Sequence, residues 1–167
     1  MKNLNNKGFT LIEVLAIIII ISVIGLIAVP NVINTINTGK KSAYDILVKD
    51  ITIAGKQLYE EIDYINPVPG LNYYDALGEP IPGKKIKIGE DIHGNDIGSS
   101  IKINLQTLVS NGLLSGNDNK KITNPKNGED IGLCEVIITK ISDNNTNISY
   151  KFENASTDNT NCPNYNE

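Results

Sequence analysis

The sequence predicts an α+β fold: one long N-terminal helix, apolar in its first half and amphipathic in its second, packed on a small antiparallel β-sheet. Three observations predict it. Residues Val14 to Val29 contain no charge, inside an apolar run that begins at Phe9. Beyond Pro30, residues Tyr44, Leu47, Ile51, Ala54, Leu58 and Ile62 recur at steps of three and four, the period of a one-faced helix. In the C-terminal third, Leu133–Ile141 is rich in β-branched residues, and Ile148, Tyr150 and Phe152 alternate with Ser149, Lys151 and Glu153, as in a half-buried strand.

The first element is the apolar run. From Phe9 to Val29 it has about the twenty residues that a membrane-spanning helix needs. Lys2 and Lys7 flank it closely on the N-terminal side, so the positive-inside rule places that side in the cytoplasm. Lys40 and Lys41 lie farther away, on the other side. A secretory signal peptide also has a charged start and an apolar middle. Here the run is long for that role, no A-x-A-like site follows it, and Glu13 sits near its start. A plain membrane anchor accounts for everything except Glu13 and the abrupt Gly8–Phe9 junction. A carboxylate in a membrane helix costs on the order of 2–3 kcal/mol on insertion scales and is usually functional or paired. If the chain is cut after Gly8, Phe9 gains an ammonium group four residues, about one helical turn, before Glu13.

Met1 to Gly8, a short basic leader ending in glycine, followed by Phe9-Thr10-Leu11-Ile12-Glu13, resembles the processing site of type IV prepilins and of the pseudopilins of type II secretion and DNA-uptake systems. The family's pattern is glycine, then phenylalanine, then glutamate as the fifth residue of the mature chain, with an apolar helix behind. The resemblance covers about a fifth of the chain. It implies cleavage of the Gly8–Phe9 bond by a prepilin peptidase, N-methylation of Phe9 by the same enzyme, and neutralisation by Glu13 of the Phe9 ammonium of an adjacent subunit. Burying an ion pair only where both partners exist acts as a register device.

Pro30 removes one backbone donor and is expected to kink the helix, and Gly25 weakens it by about 1 kcal/mol relative to Ala. Both residues are also common irregularities of membrane helices. The resemblance implies a sharper reading, in which the helix loosens over Gly25–Pro30 when packed in a filament. No strong stop follows until Pro67-Val68-Pro69-Gly70, so one helix is expected from Phe9 to about Tyr64, roughly 80 Å long.

The segment from Pro67 to about Ile103 is dominated at its start by proline, glycine and tyrosine. Lys84–Ile88 is a candidate short strand and His93–Asp96 a turn. Asn104 is placed to cap a short helix over Leu105–Ser110, which Asn111-Gly112 ends. The two strands of the C-terminal third form a hairpin around Asp143–Asn147, its apolar face covering the helix stripe. The tail Asn154–Glu167 is polar and expected to be loosely held. The expected divisions are a leader over 1–8, a transmembrane and assembly helix over 9–30, and an extracytoplasmic domain over 31–167. Within that domain the helix reaches about 64, a connecting segment covers 65–131, and the sheet with a disulfide-bounded end covers 132–167.

The chain has two cysteines, Cys134 and Cys162. Everything after the membrane run is expected outside the cytoplasm, where disulfides persist, and the family often pins its C-terminal region by such a bridge. The alternative is two free thiols. Closing a loop of nearly thirty residues is worth on the order of 3–4 kcal/mol.

Other chemistry is not favoured. Asn/Asp-rich stretches at Glu90–Asp96, Asn117–Asn119 and Asn124–Asp130 offer oxygen ligands for calcium, but without a recognisable ligand spacing, and turns favour the same residues. No metal or other cofactor is expected. Lys84, Lys85, Lys87, Lys120, Lys121 and Lys126 are candidates for a DNA patch. The net charge is −4, and removal of Lys2 and Lys7 takes it to −6, which favours a solvated surface over nucleic acid. No nucleophile–base pair stands out, so no enzyme is expected. Asn144, Asn147 and Asn154 begin N-x-[ST] matches of a kind frequent by chance in an Asn-rich chain.

The expected function is therefore a structural subunit of a type IV pilus. Its partners are other pilin subunits, the prepilin peptidase, an inner-membrane assembly platform, and the membrane before assembly. Its final place is a cell-surface filament. A pseudopilin of a secretion or DNA-uptake machine shares the same motif. A membrane-anchored binding protein or enzyme is the remaining alternative, and it requires Glu13 to be dispensable.

Overall fold

The computed structural model describes residues 8–63, 82, 86–91, 98–143, 147–155 and 161–165. The elements are helix α1 (Leu11–Asp63), strand β1 (Ser100–Asn104), helix α2 (Leu105–Ser110), strand β2 (Glu135–Asp143) and strand β3 (Asn147–Asn154). The chain divides into two compact units, Met1–Lys40 and Lys41–Glu167. The expected stop at Pro67–Gly70, the turn at His93–Asp96 and the centre of the hairpin loop lie outside the described residues.

In the first unit, every large apolar side chain among the described residues is exposed, from Phe9 to Ile36. This stretch of α1 is long and apolar enough to cross a membrane. Its few hydroxyls are absorbed by the helix itself. Ser22 donates to the Ile18 carbonyl at 2.7 Å, Thr35 to Asn31 at 2.9 Å and Thr38 to Asn34 at 2.9 Å. Such bonds to the preceding turn satisfy a hydroxyl where no water is at hand. Gly25 and Pro30 both lie within α1, which is helical throughout.

In the second unit the sheet is antiparallel in the order β1-β2-β3. The period-2 alternation of strands puts Ile101, Ile138 and Phe152 in one row across it. Ile103 and Val136 form the neighbouring row, and all four β1 and β2 members are fully buried. The predicted stripe of α1 covers them: Tyr44, Ile51, Ala54 and Leu58 are buried, and Leu47 and Ile62 pack at the margins. The closest approach is at Gly55. A Cβ there would lie 2.7 Å from Phe152 Cε1 and 2.8 Å from Ile138 Cδ1. The helix sits this near the sheet because position 55 has no side chain.

Helix α2 is where sequence and structure agree most closely. The Asn104 side chain accepts from Thr107 N at 2.9 Å and from the Thr107 hydroxyl at 2.7 Å. The first two helical N–H groups donate to the Cys134 and Gly132 carbonyls, at 2.9 and 2.8 Å. At the other end Gly112 has φ +74°. Its N–H reaches Val109 O, and Leu113 N reaches Leu108 O. This is the Schellman arrangement that a glycine after the last turn permits.

Several expectations are corrected. Ile86–Ile88, the described part of the proposed Lys84–Ile88 strand, is not a strand. The edge of β1 is instead met by Asp91, which bridges Lys102, and by Gly89 N donating to Ser100 O. β1 itself was not expected, and it turns the hairpin into a three-stranded sheet. β2 begins at Glu135 rather than Leu133, because Cys134 N closes a turn on Ile131 O and leaves Leu133 exposed. Ile148 is 60% exposed rather than half-buried, since it lines a groove beside α1 and not the core.

The described part of the tail is firmly held. Cys162 and Pro163 are buried. Asn164 N donates to the Tyr44 hydroxyl at 3.0 Å, and the Tyr165 ring packs 6.0 Å from that of Phe152. Asn124 and Asn127 donate to the Asn161 carbonyl and side chain at 3.1 and 3.0 Å. Side chains distant in sequence supply this grip, so tail polarity alone does not forecast it.

Candidate processing and assembly site

Gly8, Phe9 and Thr10 are non-helical and exposed, with Phe9 76% accessible. A Cβ at Gly8 would meet nothing within 4 Å, so packing within the chain does not call for glycine there. The same holds at Gly25.

Helix α1 begins immediately after Thr10, and Glu13 is its third residue. The Thr10 carbonyl accepts from Glu13 N at 3.1 Å and Val14 N at 3.2 Å. The Thr10 hydroxyl accepts from Glu13 N at 3.3 Å, and Glu13 Oε2 accepts from Thr10 N at 3.5 Å. Thr10 and Glu13 thus form a capping box, in which each side chain satisfies a backbone donor of the other. The carboxylate also lies at the positive end of the helix dipole. The sequence expectations do not include Thr10. The signal that finds it is the spacing Thr-x-x-Glu directly ahead of an apolar run. Glu13 therefore has a local task in the single chain, which weakens the argument that a plain anchor leaves it unexplained. The 3.5 Å bond is at the outer limit of a hydrogen bond, so this carboxylate is loosely held.

Pro30 has no N–H to donate to the Leu26 carbonyl one turn earlier, which leaves the α1 ladder one bond short at that point. Far along the chain, Cys134 and Cys162 are joined by a disulfide with Cα atoms 5.6 Å apart, and both are buried. The bridge ties the lead-in to β2, already anchored to the start of α2, to the gripped tail.

The polar loops use their own oxygens. Asn117 Oδ1 accepts from Asn119 N and Lys121 N, Asn124 Oδ1 from Lys126 N, Asn127 Oδ1 from Glu129 N, and Asp130 Oδ1 from Gly132 N. These are Asx turns. Partial burial pushes the Asp130 carboxyl up, but the Gly132 N–H and the Lys121 ammonium outweigh it and hold the pKa below the usual value. Among the described residues no group of three or more His, Cys, Asp or Glu is placed to hold a metal ion. Lys126 lies over the Tyr44 ring, 3.5 Å from its centroid, and Lys121 pairs with Asp130 at 3.0 Å. Two of the six lysines considered for a DNA patch, Lys121 and Lys126, thus have partners within the domain.

Residues 3–29 match the family model of the prokaryotic N-terminal methylation motif. No curated protein and no solved structure matches the chain. Residues 3–29 thus carry the prepilin-type motif of type IV pilins and pseudopilins, and that motif supports a pilin-like or pseudopilin protein.

Proposed function

We propose that this chain is a structural subunit of a type IV pilus filament. In this reading a prepilin peptidase cuts between Gly8 and Phe9 and methylates the new Phe9 amine. The subunit waits in the membrane as a single-pass protein with the leader in the cytoplasm. An inner-membrane platform then adds it to a filament of pilin subunits through residues 9–30, and residues 31–167 become the filament surface. The observation that carries the reading is an accessible, non-helical Gly8–Thr10 directly ahead of an exposed apolar helix half whose one charge before Lys40 is the Glu13 carboxylate in the first turn. Glycine at position 8 answers no demand of the chain's own packing, which fits a residue read by an enzyme.

The capping box gives Glu13 a way to wait. Before assembly its carboxylate is partly satisfied by Thr10 N and the helix dipole, at a contact weak enough to exchange. In the filament it turns to the Phe9 ammonium of a neighbour, a charge-assisted bond roughly twice as strong as a neutral one. Gly25–Pro30, where the helix ladder already lacks a bond, is the region that loosens on packing.

Analysis of the native N-terminus by mass spectrometry tests the class. N-methyl-Phe9 is expected, and an intact Met1 overturns the reading. Two substitutions separate the tasks of Glu13. Gln keeps the capping acceptor and removes the charge, whereas Ala removes both. Ion pairing predicts that Glu13→Gln and Glu13→Ala both block assembly while cleavage continues. If Glu13→Gln assembles normally, the residue is a cap and no more. Long surface fibres containing the chain are expected. Loss of secretion or DNA uptake in its absence, with no such fibre, assigns it to a pseudopilus instead.

A further inference from the structure

We propose that Asn127–Gly128 is a site of spontaneous deamidation, which the tail guards once the Cys134–Cys162 bridge has closed. Asn-Gly occurs twice in the chain, at 111–112 and 127–128. Asparagine is thermolabile, most of all ahead of glycine, which has no side chain to keep its nitrogen away from the neighbouring amide carbon. The Gly128 nitrogen attacks Asn127 Cγ and loses its proton, and the side-chain nitrogen leaves as ammonia. Water then opens the resulting succinimide to aspartate or isoaspartate, so one water enters for each ammonia lost.

The reaction needs a free glycine N–H and an asparagine side chain able to turn toward it. Different parts of the molecule restrain the two pairs. Gly112 N donates to Val109 O at 3.0 Å and Asn111 Nδ2 to Thr107 O at 2.7 Å, so the first pair is held by α2 and its own cap. Asn127 is exposed, and Gly128 N donates to Asn124 O at 2.7 Å. Asn127 Oδ1 accepts from Glu129 N at 3.1 Å, and its Nδ2 donates to Asn161 Oδ1 at 3.0 Å. Asn124 Nδ2 donates to Asn161 O at 3.1 Å. Asn161 therefore holds both the amide that would leave and the residue whose carbonyl occupies the Gly128 N–H. It directly precedes Cys162, which the bridge fixes to Cys134. Local opening of a loop takes far less free energy than global unfolding, and a tail without its bridge lets this loop open. The vulnerable interval is the time before the bridge closes, whichever machine the chain serves. The change is one-way, and a carboxylate at position 127 has no proton to give Asn161 Oδ1.

Peptide mapping by mass spectrometry, on the full chain aged in detergent at mildly alkaline pH, tests it. Cys134→Ser with Cys162→Ser removes the bridge. Asn161→Ala keeps the bridge and removes the acceptor for Asn127. Each is expected to raise the rate of deamidation at Asn127 about fivefold or more over the unaltered chain, with the rate at Asn111 unchanged. Asn111 thus reports unfolding within the same molecule. If loss of the bridge unfolds the chain and both rates rise together, Asn161→Ala decides alone. An unchanged rate at Asn127 in either variant overturns the proposal. So do equal rises at both positions in Asn161→Ala, or loss at Asn127 in the unaltered bridged chain as fast as in a denatured one.

Discussion

At the scale of single residues, Gly55 is a tightly constrained position of the second unit. In the middle of a helix glycine costs about 1 kcal/mol relative to alanine, so a helix that keeps it gains elsewhere. The gain is close approach, because an added Cβ would meet Phe152 and Ile138 at under 3 Å. Ile138 is fully buried, so its Cδ1 can move only by repacking its neighbours. Overpacking of this kind costs about 1–3 kcal/mol, more than the helix propensity that alanine returns. Gly55→Ala is therefore expected to destabilise the full chain in detergent by a net of up to about 2 kcal/mol, seen as a lower thermal midpoint. An unchanged or raised midpoint in a calorimetric scan would show that α1 can shift away from the sheet. Tyr165 carries a second residue-scale consequence. Burial, with a smaller contribution from Tyr44, raises its pKa well above that of a free tyrosine. The folded state holds this proton more tightly than the unfolded one. The associated stability is complete below about pH 10 and is lost as the pH rises above it. Tyr165→Phe is expected to remove that part of the alkaline loss, seen as a smaller fall in midpoint between pH 8 and pH 10.5 than in the unaltered chain.

At the scale of elements, α2 is the shorter of the two described helices and has clear local grounds for existing. Asn104 is 1% exposed and caps two donors of Thr107, so Asn104→Ala leaves buried groups unpaired. A loss of about 1–2 kcal/mol is expected in denaturant unfolding, with Asn104→Asp retaining most of the stability. A loss confined to a few tenths would mean that the bonds from Leu105 and Gln106 to the β2 lead-in hold the helix without its cap. The same element shows what is legible in a sequence. A cap, a short apolar helix and Asn-Gly after it are local signals, and the structure places α2 at the predicted residues. The stripe Tyr44–Ile62 was legible for the same reason, since six positions repeat the helical period. β1 was not. Ser100–Asn104 has two isoleucines among polar residues, and it is a strand because Ile101 and Ile103 find Ile138 and Val136, about thirty-five residues away. The grip on the tail is equally non-local, as it depends on Tyr44 meeting Asn164. At the N-terminus the glycine, phenylalanine and glutamate pattern was readable at once, whereas the bond between Thr10 and Glu13 needed the helix start to be located.

At the scale of the whole chain, the proposed membrane topology makes orientation and the state of the disulfide two readouts of one event. The bridge Cys134–Cys162 spans 28 residues and is worth about 3–4 kcal/mol in the chain-entropy account. It persists only where the domain lies outside the cytoplasm. Which side that is depends on lysines near the apolar run, because the positively charged flank stays in. Lys2 and Lys7 flank one end closely, while Lys40 and Lys41 stand ten or more residues beyond Val29 at the other. Replacing Lys2 and Lys7 by glutamate reverses the balance and leaves Lys40-Lys41 as the nearer positive flank. The expected outcome is a fraction of chains with the domain in the cytoplasm and both thiols free. Alkylation with a mass-tagged maleimide, before and after reduction, counts them. The unaltered chain is expected to take up two tags only after reduction, and the double variant to take up tags before it. If the double variant remains fully oxidised, the lysines do not set the orientation, and the apolar helix or the cleavage machinery does. If the unaltered chain is already reduced in the cell, the domain does not reside outside the cytoplasm, and the filament reading loses its topology.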